Sequence, residues 1–122
     1  FTKIYPQNRV WNINEQFTSP NGQYTIRQQG DGNLVIYGPN GAIWALQHLG
    51  IIYNANMANM RFKFNLGHAL IWNITTNTFV KNIVTKQSED NGENKVFLAL
   101  DNNGKLTARH KNNPTIILQN IN

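Results

Sequence analysis

The 122-residue sequence predicts an all-β domain, and three observations lead to that fold class. Residues of alternating character run through 29–37 with the two-residue period of a strand. A set of apolar positions recurs with a period of 36 residues, which indicates three copies of one unit. Asn-rich turn segments separate short apolar runs, none of which approaches the roughly 18 residues of a membrane span. We therefore expect a single domain over residues 1–122, without membrane insertion.

The expected elements follow one another as strands and turns. In chain order they are strand material at 1–17, a hairpin near 24–37, a turn at 40–41 before a strand at 42–46, residues 49–53 leading into a hairpin near 60–73, a turn at 73–77, strand material at 79–85, a polar loop at 88–94, a hairpin near 96–109 and a short apolar strand at 115–121. A terminal apolar strand favours aggregation unless it is paired.

The inward positions of the three hairpins are almost wholly apolar. They are Tyr24, Ile26, Gln28, Leu34 and Ile36 in the first copy; Met60, Phe62, Phe64, Leu70 and Trp72 in the second; and Val96, Leu98, Leu100, Leu106 and Ala108 in the third. The same shifts relate Trp44 to Val80 and Ile116, which are again apolar. Three sheets that share one core need this pattern, because each sheet has a single apolar face and can bury it only against the others.

The outward positions of the first hairpin hold Gln29, Asp31, Asn33, Val35 and Tyr37. A sugar hydroxyl both donates and accepts hydrogen bonds. The carboxylate supplies acceptors, the two amides supply both kinds of group, and the phenol can do either. The valine offers a small apolar surface to ring carbons. These side chains therefore predict a sugar-binding site.

Two glycines, Gly30 and Gly32, flank Asp31 and predict a tight turn in which a positive φ is cheap. An Asp-Gly-Asn turn followed by alternating residues is also typical of an ordinary hairpin. An ordinary hairpin would, however, accept Thr, Lys or Ser equally well at the outward positions. The amides, the carboxylate and the phenol at these offsets favour the binding site.

In spacing and identity, the five outward residues match the signature Gln-x-Asp-x-Asn-x-Val-x-Tyr, so the chain resembles the bulb-type, snowdrop-agglutinin-like mannose-binding lectins and their bacterial relatives. The lead-in 18–24 and Trp44, seven residues after Tyr37, also match that family. The resemblance implies a β-prism II fold of three four-stranded antiparallel sheets with pseudo-threefold symmetry. It implies that Gln29, Asp31, Asn33 and Tyr37 bond the hydroxyls of terminal α-D-mannose, and that Val35 touches its carbons.

The other two hairpins do not keep this signature. Their matching positions are Asn65, Gly67, Ala69, Ile71 and Asn73 in the second copy and Asp101, Asn103, Lys105, Thr107 and Arg109 in the third. We expect one mannose site per chain. The partners are then mannose or mannose-containing glycans, and a weak single site favours a homodimer or larger homo-oligomer. In the family the C-terminal strand commonly completes a sheet, sometimes on a neighbouring subunit, so we expect assembly through this strand.

Catalysis, cofactors and metals are not expected. The three histidines are far apart in the sequence, cysteine is absent, and no nucleophile or phosphate-binding motif occurs. A glycosidase needs a second carboxylate opposite Asp31, and one carboxylate cannot form a calcium site of six to eight oxygens. The net charge is +5, but the basic residues are scattered, which argues against nucleic acid as a partner.

Two other roles are also compatible with this sequence. A lectin-like bacteriocin or toxin-targeting module would use the same site to address a cell, and a protein-interaction member of the family would keep the fold without binding sugar. Because there is no cysteine, the domain has no disulfide requirement, and both a secreted and a cytoplasmic location are compatible with the sequence.

Overall fold

In the computed structural model, which describes residues 1–5, 7–65, 68–85 and 96–122, the chain forms three antiparallel sheets. The described residues contain no α-helix, only two short 3₁₀ helices, Leu46–Leu49 and Ala55–Asn59. The strands are β1 (Thr2–Ile4), β2 (Gln16–Thr18), β3 (Thr25–Gln28), β4 (Leu34–Gly38), β5 (Gly41–Ala45), β6 (Met60–Asn65), β7 (His68–Asn73), β8 (Thr78–Asn82), β9 (Val96–Leu100), β10 (Leu106–His110) and β11 (Asn113–Asn120). The predicted all-β class is confirmed.

Each sheet is built around one hairpin. The first sheet has the strand order β2-β3-β4-β5, the second β6-β7-β8, and the third β1-β9-β10-β11. The second sheet has three strands instead of four, because its expected outer strand is reduced to a single bridge between Val10 and Lys63. Next to that bridge, the Trp11 amide donates to the Phe62 carbonyl at 2.8 Å. The N-terminal eighteen residues thus contact all three sheets in turn.

The inner faces of the three sheets meet in one core. Ile26, Phe62 and Leu98 occupy matching places on the first strands of the three hairpins, and all are 0% exposed. Trp44, one of the residues that match the lectin family, is also buried in this core. Apolar side chains on the inner face of each sheet lose their contact with water only because the other two sheets cover them.

Gln28 is a buried amide at an otherwise apolar inner position. Its Oε1 accepts from the Phe62 amide at 2.7 Å, and its Nε2 lies 3.4 Å from the carbonyls of Asn33 and Met60. A buried polar group is tolerated when its hydrogen bonds are made. This one joins the first hairpin to the first strand of the second sheet.

The second hairpin differs from the prediction by one residue. Phe62 pairs with Ile71 and Phe64 with Ala69, whereas Leu70 and Trp72 pair with Lys63 and Arg61 on the opposite, outer face. The inward assignment of Leu70 and Trp72 is therefore wrong, as is the outward assignment of Ala69 and Ile71. Asn65 pairs directly with His68, so this hairpin is one residue shorter than the other two. A register shift of one residue moves every side chain of a strand to the opposite face of the sheet.

Ile116 is a second correction. The sequence placed it in the core as a counterpart of Trp44, but it is 44% exposed, while Leu118 of the same strand packs against the core. The pairing of β11 with β10 is irregular on either side of Arg109. Such irregularities change which residues of a strand face inward. The predicted polar loop at 88–94 lies outside the described residues.

Candidate functional site

The loop between β3 and β4 carries the predicted signature and is closed by its own hydrogen bonds. The backbone N–H of Gln29 donates to the backbone carbonyl of Asn33 at 2.8 Å, and the backbone N–H of Gly32 donates to the backbone carbonyl of Gln29 at 3.1 Å. The backbone N–H of Asn33 donates to Asp31 Oδ1 at 2.9 Å. Asp31 therefore stabilises the turn with one oxygen and presents the other beside it.

Gly32 lets this turn lie directly against the 3₁₀ helix Ala55–Asn59. Its φ of +87° is in the left-handed region, and a Cβ built on it would lie 1.5 Å from the Met57 carbonyl oxygen. Only glycine fits so close an approach with that backbone conformation. The turn is thereby fixed against the segment that links the first and second sheets.

Three of the predicted residues form a continuous hydrogen-bonded chain. The Tyr37 hydroxyl donates to Gln29 Oε1, and Gln29 Nε2 donates to the Asp31 carboxylate at 3.1 and 3.3 Å. The side-chain amide of Gln29 is given the orientation in which its nitrogen faces an acceptor and its oxygen faces a donor. A phenol, an amide and a carboxylate thus lie side by side at the rim of the first sheet, each of them partly exposed.

The other two predicted residues are placed differently. Asn33 is 6% exposed; its Nδ2 donates to Gln47 Oε1 at 2.9 Å and its Oδ1 accepts from the Leu46 amide at 3.3 Å. Its amide thus holds the 3₁₀ helix Leu46–Leu49 against the turn. Val35 is buried on the outer face of β4, where it pairs with Arg27 of β3 and Ala45 of β5.

Tyr53 joins the site although the sequence gave no indication of it. Its hydroxyl donates to Asp31 Oδ2 at 3.0 Å, and the residue is 59% exposed. The hydrogen bond to the carboxylate favours the protonated phenol and raises the pKa of Tyr53. No spacing rule relates the two residues, because the irregular segment that carries Tyr53 is positioned by packing.

Comparison with known proteins gives structural matches only. The sequence matches no protein-family model and no curated protein. The structure is similar to the Japanese Marasmius oreades lectin, with a TM-score of 0.70 at 18% identity over 100% of this chain and 92% of that one. It is also similar to the monomeric monocot mannose-binding lectins from Gastrodia elata, with a TM-score of 0.67 at 18% identity over 97% of this chain and 94% of that one. The chain has the β-prism II fold of these lectins.

The corresponding turn of the third sheet has the same geometry but different chemistry. The Asp101 amide donates to the Lys105 carbonyl at 3.0 Å, and Gly104 has a φ of +80°. Lys105 and Arg109, however, occupy the places of Asn33 and Tyr37. The Arg109 guanidinium bonds Thr107 Oγ1 and the Pro114 carbonyl, both at 3.0 Å.

The outer face of the second sheet carries apolar residues at the comparable places. Leu70 and Trp72 lie there, and Lys63 Nζ is 4.2 Å from the centroid of the Trp72 ring. Across the part of this β-prism that the structure describes, no group of three or more His, Cys, Asp or Glu residues is arranged to hold a metal ion. The same residues include no helix long and apolar enough to cross a membrane.

Proposed function

We propose that the chain is a non-enzymatic lectin that binds terminal α-D-mannose through one site on the first sheet, without a metal ion. The observation that carries this proposal is the chain of hydrogen bonds from Tyr37 through Gln29 to Asp31. It sets a phenol, an amide and a carboxylate beside one another. The name of the Gastrodia elata lectins, which describes mannose binding by a protein of the same fold, is consistent with it.

The chemistry of the site suits a polyhydroxylated ring. An ionised carboxylate offers about four acceptor positions, and the protein groups around Asp31 use about three of them. The remaining position can accept from a sugar hydroxyl. Gln29 keeps a second N–H for donation, and the Tyr37 oxygen can accept. The hydrogen bonds already made inside the site hold these groups in place before the sugar arrives, which reduces the entropy cost of binding.

The affinity for a monosaccharide should be low. A shallow site of this kind corresponds to a Kd of about 1 mM, or about −4 kcal/mol. Binding should persist in the presence of a chelator, since the proposed site uses no metal. Galactose, whose hydroxyls at C2 and C4 are oriented oppositely to those of mannose, should bind at least about tenfold more weakly if the hydrogen bonds set the specificity.

The decisive experiment is an NMR titration with methyl α-D-mannoside, with and without EDTA, on the wild-type chain and on Asp31→Asn. The asparagine keeps an oxygen for the Asn33 amide but loses charge and an acceptor, so we expect binding to fall about tenfold or more. Asp101→Asn changes the same residue type in the equivalent turn of the third sheet and should bind like the wild type. Equal binding by Asp31→Asn, or shifts centred on the third sheet, would contradict the proposed site.

A further inference from the structure

We infer that Tyr53 forms one wall of an extended site, so that the ligand is a mannose-containing oligosaccharide whose second sugar ring packs on the Tyr53 ring. This inference rests on the proposed function. It concerns a residue outside the five of the signature, and it concerns the size of the ligand, which the signature leaves open.

The first argument is position. The Tyr53 hydroxyl is 3.0 Å from Asp31 Oδ2, so its ring stands immediately beside the carboxylate proposed to bind mannose. A sugar linked to that mannose and extending past Asp31 would meet the ring. The ring is accessible, because Tyr53 is 59% exposed and the neighbouring Ile52 is 74% exposed.

The second argument is that Tyr53 is held in place on both sides. Ile51 is 8% exposed and belongs to the core, and its amide donates to the Leu46 carbonyl at 3.3 Å. Asn54 caps the following 3₁₀ helix by accepting from the Asn56 amide at 2.9 Å. An aromatic side chain fixed in this way contributes contact area at a low entropy cost on binding.

The third argument is chemical. The C–H groups of a sugar ring form an apolar surface that can cover an aromatic face, and tyrosine combines such a face with a polar end. After donating to Asp31, the phenolic oxygen still has acceptor capacity for a sugar hydroxyl. A role in folding alone explains little, since a hydrogen bond from an exposed phenol to a partly exposed carboxylate contributes little to stability while the ring stays in water.

The test compares two ligands on each variant. Isothermal titration gives the ratio of affinities for a methyl α-mannobioside, tried in its 1→2, 1→3 and 1→6 linkages, and for methyl α-D-mannoside. The wild-type ratio should reach about fivefold for at least one linkage. Tyr53→Phe keeps the ring and loses only the phenolic oxygen, so it should keep most of the ratio, whereas Tyr53→Ala should reduce it to near one. Tyr5→Ala removes a tyrosine of comparable exposure, 52%, that directly follows β1, and it should leave the ratio unchanged.

Several results would overturn the inference. A wild-type ratio near one for every linkage excludes an extended site, and so does a ratio that survives in Tyr53→Ala. A loss that is identical in Tyr53→Phe and Tyr53→Ala assigns Tyr53 to the orientation of Asp31 and not to ring stacking. Failure of the proposed function has a different signature, because the wild-type chain would then bind neither ligand, and the inference would fail with it.

Discussion

Asn33 shows how one side chain of the signature also supports the fold. Both ends of its amide are bonded inside the protein, to Gln47 and to the Leu46 amide, and it is 6% exposed. Removing it leaves the Leu46 amide without its partner, so Asn33→Ala should lower the free energy of unfolding by about 1–3 kcal/mol, measured by urea denaturation.

The matched control for Asn33 is Lys105→Ala, at the equivalent position of the third-sheet turn, where the side chain is exposed. It should change stability by less than about 0.5 kcal/mol. If the two variants unfold at the same urea concentration, the buried amide does not stabilise the turn. Because Asn33→Ala is expected to destabilise the turn, a loss of sugar binding in this variant can result from the change in stability. Asp31→Asn preserves the turn, so it reports on binding more directly.

Glu15 gives a prediction about pH. Its Oε2 lies 2.7 Å from Arg9 Nη2, and its Oε1 accepts from the Asn12 amide at 3.0 Å. The hydrogen bond from Arg9 is the main cause that lowers the pKa of Glu15 below its usual 4.5. A carboxylate with a lowered folded-state pKa stabilises the fold above its unfolded pKa, and this contribution is lost as the pH falls through the folded-state value.

We expect Glu15→Gln to lower stability by about 0.2–1 kcal/mol at pH 7, a small effect because Arg9 is 43% exposed and screened by solvent. The difference from the wild type should shrink as the pH is lowered from 5 and vanish below the folded-state pKa. Arg9→Gln should cost a similar amount, and the double variant no more than either single one. Additive losses, or a difference independent of pH, would show that the ion pair is not responsible.

At the scale of elements, the turn at 29–33 depends on Gly32. A Cβ there would lie 1.5 Å from the backbone carbonyl oxygen of Met57, and a side chain would also be strained by the φ of +87°.

Gly22 is the matched control, because it has a similar φ of +75° but no atom within 4 Å of a built Cβ. A substitution at Gly22 therefore measures the backbone strain without the steric clash. Gly22→Ala should cost about 1–2 kcal/mol. Gly32→Ala should cost at least about 2 kcal/mol more in thermal or urea unfolding and should weaken sugar binding, because the turn must move. Equal costs would contradict the close approach.

The sequence predicted the first hairpin well because its determinants are local. The two glycines, the Asp31 turn and the alternation in β4 all lie within ten residues. The second hairpin was misassigned because residues 69–72 are all apolar, so the inner and outer faces give the same signal and a register shift of one residue leaves no trace. Tyr53 was missed for a different reason: its approach to Asp31 is set by how the segment between the first two sheets packs.

At the scale of the whole molecule, the three sheets depend on one another. Among the residues that the structure describes, no sheet has a second layer of its own, and each buries its inner face in the shared core around Ile26, Phe62 and Leu98. The N-terminal segment reinforces this dependence, since β1 pairs with β9, Val10 bridges to Lys63 and β2 pairs with β3. The first-sheet turn is therefore held by contacts from the whole prism, which explains how the proposed site, although built on short loops, can be ordered.

The oligomeric state is a prediction about the C-terminal strand. β11 lies at the edge of the third sheet, and its Ile116 and Ile117 are 44% and 47% exposed. An exposed edge strand with apolar side chains tends to pair with another chain. A single site with a Kd of about 1 mM is effective on a cell surface only when several sites are linked. We expect a dimer or larger assembly by light scattering at micromolar concentration.

Ile117→Lys tests that surface, because a charge at the edge strand should convert the assembly to a monomer and abolish agglutination of mannan-coated particles, while the binding of methyl α-D-mannoside is retained. Ile74→Lys is the control, since Ile74 is also 44% exposed but lies in the turn between β7 and β8. A wild-type chain that is monomeric and does not agglutinate would refute the oligomer. A monomer that nevertheless agglutinates would need a second sugar site, on the second or third sheet, because one site per molecule cannot link two particles.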